Sequence, residues 1–335
     1  MESSVTLAQV ARAAGVSAST VSRILNGTAN VSVEKREAVE RTLAQLNYQP
    51  NVLARGLAGG RTMNVGVLTQ DISSPFYGEA LRGVEQGLAG SGYVPVFMSG
   101  HWHEKEETEA IDLLLARRVD AMLILGGVTP DAGLREVAGR VPLVAIGRSL
   151  PDLGRQCLRV DNRHGAFLAT RHLIELGHRS IAHIAGIPSH RDAQDRLEGY
   201  REALADAGIG FDPDLVLAGD FLEHSGFLAT TRLVEGRGFF TAIFAANDQM
   251  AYGARLALHR KGLRVPEDIS LVGFDDLAGS AYTCPPLTTV RQPVHEMGRA
   301  AARCVLRMLA GQPPALPPLQ VQLVLRESTA RRRAG

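Results

Sequence analysis

The chain has 335 residues, of which 45% are hydrophobic and 21% charged, the balance of a globular protein long enough for two or three domains. It contains no apolar run of about eighteen residues, and its N-terminus lacks the basic and apolar regions of a secretory signal. We therefore expect a cytoplasmic protein without a membrane span. The net charge of +1 favours no class of partner, but residues 1 to 61 hold seven basic side chains against four acidic ones. This excess is a weak indication of a phosphate-binding head.

The N-terminal segment predicts three short helices, the first two joined by a tight turn. Thr6 begins a stretch, TLAQ, with the form of a capping box, and Gly15 can adopt the left-handed conformation that ends the first helix. Ser17 caps a second helix that runs to about Asn26, and Ser32 starts a third. The first two helices are expected to bury Leu7, Val10, Ala11, Ala14, Val16, Val21, Ile24 and Leu25. This arrangement is a helix-turn-helix unit.

The outer face of the second helix separates a DNA-reading unit from an ordinary helical hairpin, which would bury the same apolar residues. That face is rich in hydroxyl groups and has no acidic residue, so its short donors and amide groups can approach a phosphate. Arg23 is long enough to reach the edge of a base, where guanine offers two acceptors. The pattern favours DNA binding over the hairpin.

The stretch VTLAQVARAAGVSASTVSRILNG resembles the opening of the lactose/galactose-repressor (LacI/GalR) family of bacterial transcription regulators. The resemblance implies a set of DNA-binding residues in this head. Phosphate contacts are expected from Ser17, Thr20 and Ser22, base contacts from Ala18, Ser19 and Arg23, and further contacts from Thr6 and Asn26. Because Ala18 and Ser19 are short, we expect few direct hydrogen bonds to bases at those two positions.

Residues 49 to 61 have the composition of a flexible linker, but QPNVLARGLAGG also has the form of a short helix with proline at its start. Gly56 costs such a helix about 1 kcal/mol, so the sequence predicts a segment that folds only on DNA. The stretch NYQPNVLARGLAGGRT resembles the family's hinge helix, in which a leucine wedges between base pairs in the minor groove. The resemblance implies Leu57 as the wedge and Asn51, Ala54 and Arg55 as neighbouring contacts.

From Val65 onward, apolar strands alternate with helices, which is typical of parallel sheets covered on both faces. The predicted strands are VGVLT, YVPVFM, AMLIL, PLVAIG, SIAHIAG, LVLAG, AIFAAN and ISLVGF, with one more helix and strand in the tail. The predicted helices between them span 78–89, 104–117, 193–207, 225–235 and 249–261. Two such halves hold too many strands for one sheet, so we expect two subdomains.

The body resembles a periplasmic binding protein, and the family resemblance continues through LGHRSIAHIAG, AIFAANDQMAYGARLAL, DISLVGFDD and PPLTTVRQP, to cover about residues 5 to 328. The expected fold class is α/β, a three-helix helix-turn-helix head and hinge helix joined to a two-subdomain body of parallel sheets. The expected boundaries are 1–48 for the head, 49–61 for the hinge and 62–328 for the effector-binding and dimerisation body. Within the body we expect an N-subdomain of about 62–161 and 292–322 and a C-subdomain of about 162–291 and 323–328.

Ligands of open parallel sheets bind beyond the carboxyl ends of the strands, where this sequence places aromatic, acidic, amide and guanidinium groups. Such a cleft suits a small polyhydroxylated ligand. From the family resemblance, the expected effector contacts are Phe76, Arg148, Arg196, Phe221, Asn247 and Asp275. The pairs Asn247-Asp248 and Asp275-Asp276 also fit plain helix capping and turn formation, an alternative that is stronger for Asp248 and Asp276.

Other residue groups give little support to catalysis or metal binding. His101 and His103 in HWHEKEE lack a third ligand at a recognisable spacing, so a solvated loop is favoured. No GxSxG, HExxH, Walker A or GxGxxG motif occurs. The cysteines Cys157, Cys284 and Cys304 form no CxxC pair and are expected to be buried thiols. We expect neither an enzyme nor a cofactor.

Several functions fit a chain of this kind: a repressor of sugar uptake or catabolism, a regulator with a purine-like corepressor, a sugar-binding transport protein, or an α/β enzyme. A helix-turn-helix in place of an export signal favours regulation. The expected partners are near-palindromic double-stranded operator DNA, a sugar or sugar phosphate, and a second copy of the chain, since no leucine heptad follows Glu327 to form a tetramer. Crossovers near 161–163, 289–292 and 321–325 are expected to carry an effector-dependent motion of the subdomains.

Overall fold

The computed structural model describes residues 5–25, 31–48, 60–236 and 238–332. The chain divides into two compact units, Met1–Met63 and Asn64–Gly335. The described helices of the first unit are α1 (Leu7–Ala13), α2 (Ala18–Leu25) and α3 (Val33–Gln45). None of the helices in the described ranges has both the length and the apolarity to cross a membrane.

The head folds as its local sequence signals predict. The Thr6 hydroxyl accepts from the Gln9 backbone amide at 3.3 Å, and the Gln9 side chain accepts from the Thr6 amide at 2.7 Å, which confirms the capping box. Gly15 has a φ of +65°, the left-handed conformation expected at the turn. The small core is formed by fully buried Val10, Val21 and Val39, with the other predicted apolar residues buried or partly buried around them. Ser32 precedes α3, but its side chain makes no capping hydrogen bond.

The second unit contains two sheets, as the strand count predicts. The first holds β1 (Asn64–Thr69), β2 (Val94–Ser99), β3 (Ala121–Leu125), β4 (Leu143–Ile146) and β5 (Cys157–Leu158), in the order β2-β1-β3-β4-β5. All its neighbouring strands are parallel, with Leu68 level with Ile124. Every residue of β3 and β4 is buried, because both strands are apolar on both faces and helices cover them.

The second sheet holds β6 (Ile181–Ala185), β7 (Val216–Ala218), β8 (Ala242–Ala245), β9 (Ser270–Asp275), β10 (Thr288–Arg291) and β11 (Gln322–Val324). Their order is β11-β10-β9-β8-β6-β7. All the pairs are parallel except β10 with β11, which is antiparallel. The expectation of parallel sheets is therefore wrong for the last strand, which returns to the edge of the sheet beside β10.

The helices of the second unit lie close to the predicted positions, with two additions. They are α4 (Pro75–Leu88), α5 (Glu104–Ala116), α6 (Asp131–Arg140), α7 (Asn162–Glu175), α8 (Arg191–Asp206), α9 (Glu223–Glu235), α10 (Asp248–Arg260) and α11 (Val294–Leu309). Helices α6 and α7 are absent from the predicted set. Helix α7 starts at a side-chain cap, since the Asp161 carboxylate accepts from the His164 amide at 2.8 Å.

Helix α11 connects the two sheets. It follows β10 of the second sheet, packs against α4, β3 and β4 of the first, and is followed by β11 in the second sheet again. The contact with α4 is close, because a Cβ on Gly83 would strike the backbone of His295 and one on Gly298 would strike that of Ala80. Within residues 64–236 and 238–332 the chain thus passes between the sheets three times, after β5, after β10 and after α11.

The cysteines differ from expectation. Cys304 is buried, Cys157 is half-buried and Cys284 is exposed. Cys284 lies in the loop between a short 3-10 helix, Ala278–Tyr282, and β10, where its side chain is exposed. The prediction of a buried thiol is wrong for this residue.

Candidate functional site

A cavity of about 230 Å³ lies where strands of both sheets end. Its lining residues follow the carboxyl ends of β1, β2, β6, β7, β8 and β9, as expected for a ligand site in open parallel sheets. The wall from the second sheet is mainly polar, and we call it the polar wall; its central residues are Arg196, Asn247 and Asp275. The wall from the first sheet carries Phe76, Tyr77 and Trp102, and we call it the aromatic wall.

Arg196 is the centre of the polar wall and is only 4% exposed. Its Nε donates to Asn162 Oδ1 at 2.9 Å, and one Nη donates to the Ala246 carbonyl at 2.5 Å. The other Nη lies 3.9 Å from the carboxylate of Asp275, and the guanidinium stacks 4.0 Å above the ring of Phe274. A buried guanidinium with these partners is held in one orientation.

Asp275 ends β9 with a φ of +117°, a left-handed conformation that is rare for any residue but glycine. Gln292 donates to its carboxylate at 2.7 Å. Burial raises the pKa of Asp275 to about 6, while the charge of Arg196 and the hydrogen bond from Gln292 act in the opposite direction. The site therefore holds a carboxylate that is still mostly ionised at neutral pH and can accept hydrogen bonds.

Asn247 both caps a helix and lines the cavity, the two roles that the sequence left open. Its Oδ1 accepts from the Met250 amide at 2.9 Å and so caps α10, while its Nδ2 donates to the Phe221 carbonyl at 2.9 Å. Phe221 has a φ of +71°, and its ring lies so close to Gly186 that a Cβ there would strike it. Helix capping thus places the amide group at the cavity and fixes the aromatic residue beside it.

Asp248 and Asp276 support this wall from behind. The fully buried Asp248 accepts from the Leu277 amide at 2.8 Å and from the hydroxyls of Ser280 and Thr289 at 2.6 Å each. Burial, and next the nearby charge of Asp275, raises its pKa to about 8. Asp276 pairs with Arg291 and Arg326, both at 2.6 Å. Both residues therefore have structural partners outside the cavity lining, but these are tertiary hydrogen bonds and ion pairs rather than the helix capping that the sequence offers as an alternative.

The aromatic wall is built from a helix start and a turn. Phe76 and Tyr77 lie in the first turn of α4, edge to face, with ring centroids 5.3 Å apart. Trp102 follows β2, and its ring centroid lies 6.4 Å from that of Tyr77. Burial raises the pKa of Tyr77 well above its ordinary value, and the charge of Asp192 adds to this effect, so its hydroxyl stays protonated.

Five of the six predicted effector residues line this one cavity: Phe76, Arg196, Phe221, Asn247 and Asp275. Arg148 lies instead in an adjoining cavity of about 360 Å³. Its guanidinium donates to the carbonyls of Gly127 and Thr129 at 2.9 and 2.8 Å, and to the carboxylate of Asp131 at 2.8 Å. These three acceptors hold Arg148 against the loop before α6, outside the main cavity.

Eleven of the described residues that line the cavity are absent from the predicted effector set, among them Trp102, His190 and Asp192. Each of these three lies shortly after a strand, so the strand-end rule could have identified them. The expectation of a solvated loop at HWHEKEE is right for His103, which is exposed, and wrong for Trp102, which is half-buried at the cavity. In the described part of the chain, no group of three or more His, Cys, Asp or Glu side chains is arranged to hold a metal ion.

In the head, hydroxyl groups cluster at the start of α2. The Ser17 hydroxyl lies 2.9 Å from that of Ser19 and 2.8 Å from that of Thr20, and it accepts from the Thr20 amide at 3.2 Å. Arg23 is exposed, and its Nε donates to the Ser19 carbonyl at 3.4 Å. The first turn of α2 holds no acidic residue. Predicted DNA-binding residues that lie outside the described ranges are Asn26, Asn51, Ala54, Arg55 and Leu57.

Two family models match the chain. Residues 6–51 match "Bacterial regulatory proteins, lacI family", and residues 170–329 match "Periplasmic binding protein-like domain". Among curated relatives, the HTH-type transcriptional regulator GalR of Escherichia coli (strain K12) is 41% identical over 310 residues, which are 92% of this chain and 90% of that protein. The HTH-type transcriptional repressor CytR of the same strain is 36% identical over 312 residues, 93% of this chain and 92% of its own.

Solved structures agree. The lac repressor dimer bound to operator and the anti-inducer ONPF matches with a TM-score of 0.88 and 34% identity, over 98% of this chain and 100% of that one. A complex of the transcriptional regulator CelR with cellobiose matches with a TM-score of 0.72 and 37% identity, over 97% and 99%. These relatives are regulators of transcription, not enzymes. The chain therefore belongs to the lacI family of bacterial regulatory proteins, as its N-terminal sequence predicts, and is a transcriptional regulator.

Proposed function

We propose that this regulator is a homodimeric repressor that binds near-palindromic operator DNA in the cytoplasm and changes its DNA affinity when a small sugar occupies the cleft between the two sheets. The observation that carries the proposal is a single chain with both a helix-turn-helix head and a ligand-sized cavity whose polar groups are fixed in advance. The names of the relatives point the same way: CytR is a repressor, the lac repressor structure is a dimer on operator, and the CelR structure holds cellobiose.

At the DNA, the first turn of α2 supplies the positioning contacts. The hydroxyls of Ser17, Thr20 and Ser22 and the amide groups at the helix start suit phosphate oxygens, since no acidic side chain repels them there. Arg23 reaches a base edge, whereas the short side chains of Ala18 and Ser19 make few direct hydrogen bonds to bases. Thr6 and Asn26 add contacts in the head. The hinge residues Asn51, Ala54, Arg55 and Leu57 are proposed to read and bend the minor groove between two half-sites.

The effector acts by differential binding to two orientations of the subdomains. The walls of the cleft already meet across it, since the Ser74 hydroxyl donates to Gln249 at 3.4 Å and the ring of Trp102 lies 4.4 Å from that of His190. A ligand that contacts both walls favours the closed orientation. The proposed subdomain boundaries follow the three chain passages, which must bend when the cleft opens. We propose that Arg148 positions the loop before α6 rather than contacting the effector.

A test of DNA binding begins with selection of the operator from random duplexes by the full-length protein. We expect Arg23→Ala to lower affinity for the selected operator about 10-fold to 100-fold, since one bidentate base contact contributes about 1–3 kcal/mol. Arg41→Ala is the matched control, because it removes the same charge from an exposed position on α3. Fluorescence anisotropy measures both. Equal losses in the two variants, or failure to select any sequence, would contradict the proposed head.

Sedimentation and ligand screening test the remaining parts. We expect analytical ultracentrifugation to show a dimer, and a concentration-independent tetramer or monomer would contradict it. Thermal shifts with a panel of sugars and purines identify the effector class, because a ligand that binds the folded state raises its apparent stability. A purine that raises the melting temperature and alters operator binding would replace the sugar in this proposal.

A further inference from the structure

The position of Trp102, the one tryptophan in the chain, is set by an unusual turn. His101 and Trp102 have φ values of +49° and +60°, two successive left-handed residues that are not glycine. Such a conformation persists only where surrounding contacts hold it. Here the fully buried Gln70 does so: its Oε1 accepts from the Trp102 amide at 2.9 Å, and its backbone carbonyl accepts from the His101 amide at 3.0 Å.

This turn aims the indole ring across the cleft. Trp102 meets His190, which precedes α8 on the opposite wall, edge to face with centroids 4.4 Å apart and planes at 84°. His190 in turn lies 5.6 Å from Phe221. The cavity has a volume of about 230 Å³ and is partly open to solvent. It has room for a single sugar ring, whose apolar C–H face can pack on an aromatic surface.

Two polar atoms beside this volume, Asp192 Oδ1 and His190 Nδ1, are buried and have no hydrogen-bond partner among the residues that the structure describes. Buried polar atoms are normally paired, and a hydroxyl can donate to a carboxylate and either donate to or accept from an imidazole nitrogen. Both residues line the cavity. A ligand that carries hydroxyl groups would therefore satisfy them.

The charge of the lining disfavours an anion. Four carboxylates line the cavity, those of Asp71, Asp192, Asp220 and Asp275. Among the described residues of the lining, Arg196 is the one permanent cation, and it is already bonded to Asn162, Ala246 and Asp275.

Neither histidine of the lining compensates for these carboxylates. His101 pairs with Glu106 at 2.7 Å, and burial lowers the pKa of His190, which keeps its ring neutral. A phosphate monoester brings a charge of about −1.5 to −2 at neutral pH, and the carboxylates of the lining repel it.

We infer that the effector is an uncharged monosaccharide that packs beneath Trp102 and bonds to Asp192 and His190, and that phosphorylated sugars are excluded. The inference rests on the proposed function in that the cleft is taken as the effector site. The inference narrows the predicted effector from sugars and sugar phosphates to uncharged sugars. It also assigns a ligand contact to Trp102, in the turn that contains His101 and Trp102.

Fluorescence of Trp102 in the full-length protein tests this directly, because no second tryptophan contributes. The panel is D-galactose, D-glucose, D-mannose and D-ribose, each with its terminal phosphate ester. We expect a saturable change in emission with at least one uncharged sugar and a Kd at least 10-fold higher for its phosphate. A phosphate that binds as tightly as its parent sugar overturns the inference, and so does a panel in which no uncharged sugar binds.

Two sets of variants test the aromatic ring of Trp102 and the charge of the lining separately. Calorimetry measures binding in the variants that lack the tryptophan. Trp102→Ala is expected to weaken binding of the responding sugar at least 10-fold, and Trp102→Phe less than 3-fold, because phenylalanine keeps a ring.

Asp220→Asn keeps the acceptor for the Leu222 amide but removes a charge, so the ratio of the Kd for the phosphate to the Kd for the sugar should fall at least 3-fold. Asp112→Asn, on an exposed position of α5 outside the lining, is the control that should leave this ratio unchanged. Equal effects of the alanine and phenylalanine variants overturn the role of the ring.

Operator binding distinguishes failure of this inference from failure of the proposed function. If a phosphorylated sugar binds and alters operator affinity, the repressor proposal stands and the class of effector is wrong. If sugars bind as expected but the protein selects no DNA sequence, the cleft assignment stands and the proposed repression is wrong.

Discussion

The two walls of the cleft are built by different physical means. The polar wall is part of the buried interior: Arg196, Asn247 and Asp275 each have hydrogen-bonding or ionic partners in the protein, and all three are at most 5% exposed. The aromatic wall is attached to the surface of the first sheet, where Phe76 and Trp102 are half-buried. Removing a group from the polar wall should therefore cost both stability and ligand binding, whereas damage to the aromatic wall should mainly weaken binding.

The largest effect is expected from Arg196→Leu. The substitution leaves the buried carboxylate of Asp275 without its ion pair and two acceptors without donors, which costs about 3–5 kcal/mol of unfolding free energy. Sugar binding should be lost as well. Urea denaturation and calorimetry measure the two effects. Arg191→Leu, at the exposed start of the same helix, is the control and should change stability by less than about 0.5 kcal/mol. A stable Arg196 variant that does not bind sugar would show that the polar wall is not part of the core.

An intermediate effect is expected from the pH dependence of Asp248. Its pKa is about 8 in the folded chain against an ordinary value of 3.8, so between these pH values the folded state holds a proton that unfolding releases. The stability contributed by this proton is therefore lost as pH rises, with a slope that approaches about 1.4 kcal/mol per pH unit. Near pH 6.5 the buried His183, whose pKa is lowered to about 4 by burial, adds a slope of opposite sign, because the unfolded histidine still binds protons there. The contribution of Asp248 is therefore measured between pH 6.5 and 8 as a difference from a variant.

Asp248→Asn is the variant that isolates this slope. An asparagine can accept from Leu277 and Ser280 and donate to Thr289, but it does not titrate. We expect the unfolding free energy of the variant to fall less steeply over this pH window than that of the natural protein. Parallel curves for the two proteins would show that Asp248 is ionised in the folded state.

The smallest of the three effects is expected from Gln70→Ala, which acts behind the aromatic wall. Without Gln70 Oε1 the amide of Trp102 loses its acceptor, at a cost of about 1–2 kcal/mol, and the strained turn is free to relax. The emission of Trp102 should shift to longer wavelength, and sugar affinity should fall severalfold. Gln86→Ala on the exposed face of α4 is the control. An unshifted spectrum would mean that other contacts hold the ring in place.

Signals within a few residues of one another predicted their structures well. The capping box at Thr6, the left-handed Gly15 and the cap at Asn247 are all present, because each depends on backbone atoms within three residues along the chain. Long apolar strands were equally readable, since burial on both faces leaves a continuous hydrophobic run. Helix α6 was not predicted, because it has ten residues with two glycines and shows no clear apolar period.

The sequence did not predict the contacts between segments that are distant along the chain. Arg148 follows β4 as an effector contact should, yet carbonyls and a carboxylate of the loop at 127–131 bind its guanidinium. The sequence around Trp102 is typical of a solvated loop. Only the pairing of β1 with β2 and the hydrogen bond to the buried Gln70 place Trp102 at the cleft. The last strand was expected to be parallel, but its return from α11 makes it antiparallel to β10.

The sequence by itself determined the α/β class, the helix-turn-helix head, the family and five residues that meet in one cavity, because capping, periodicity and family motifs are local properties of the chain. The tertiary structure alone decided which strand ends face each other across the cleft. That depends on sheet order and on the three passages between the sheets, which bring residues such as Trp102 and His190 together across almost ninety positions of sequence. The charge of the cavity exists only once those ends have met.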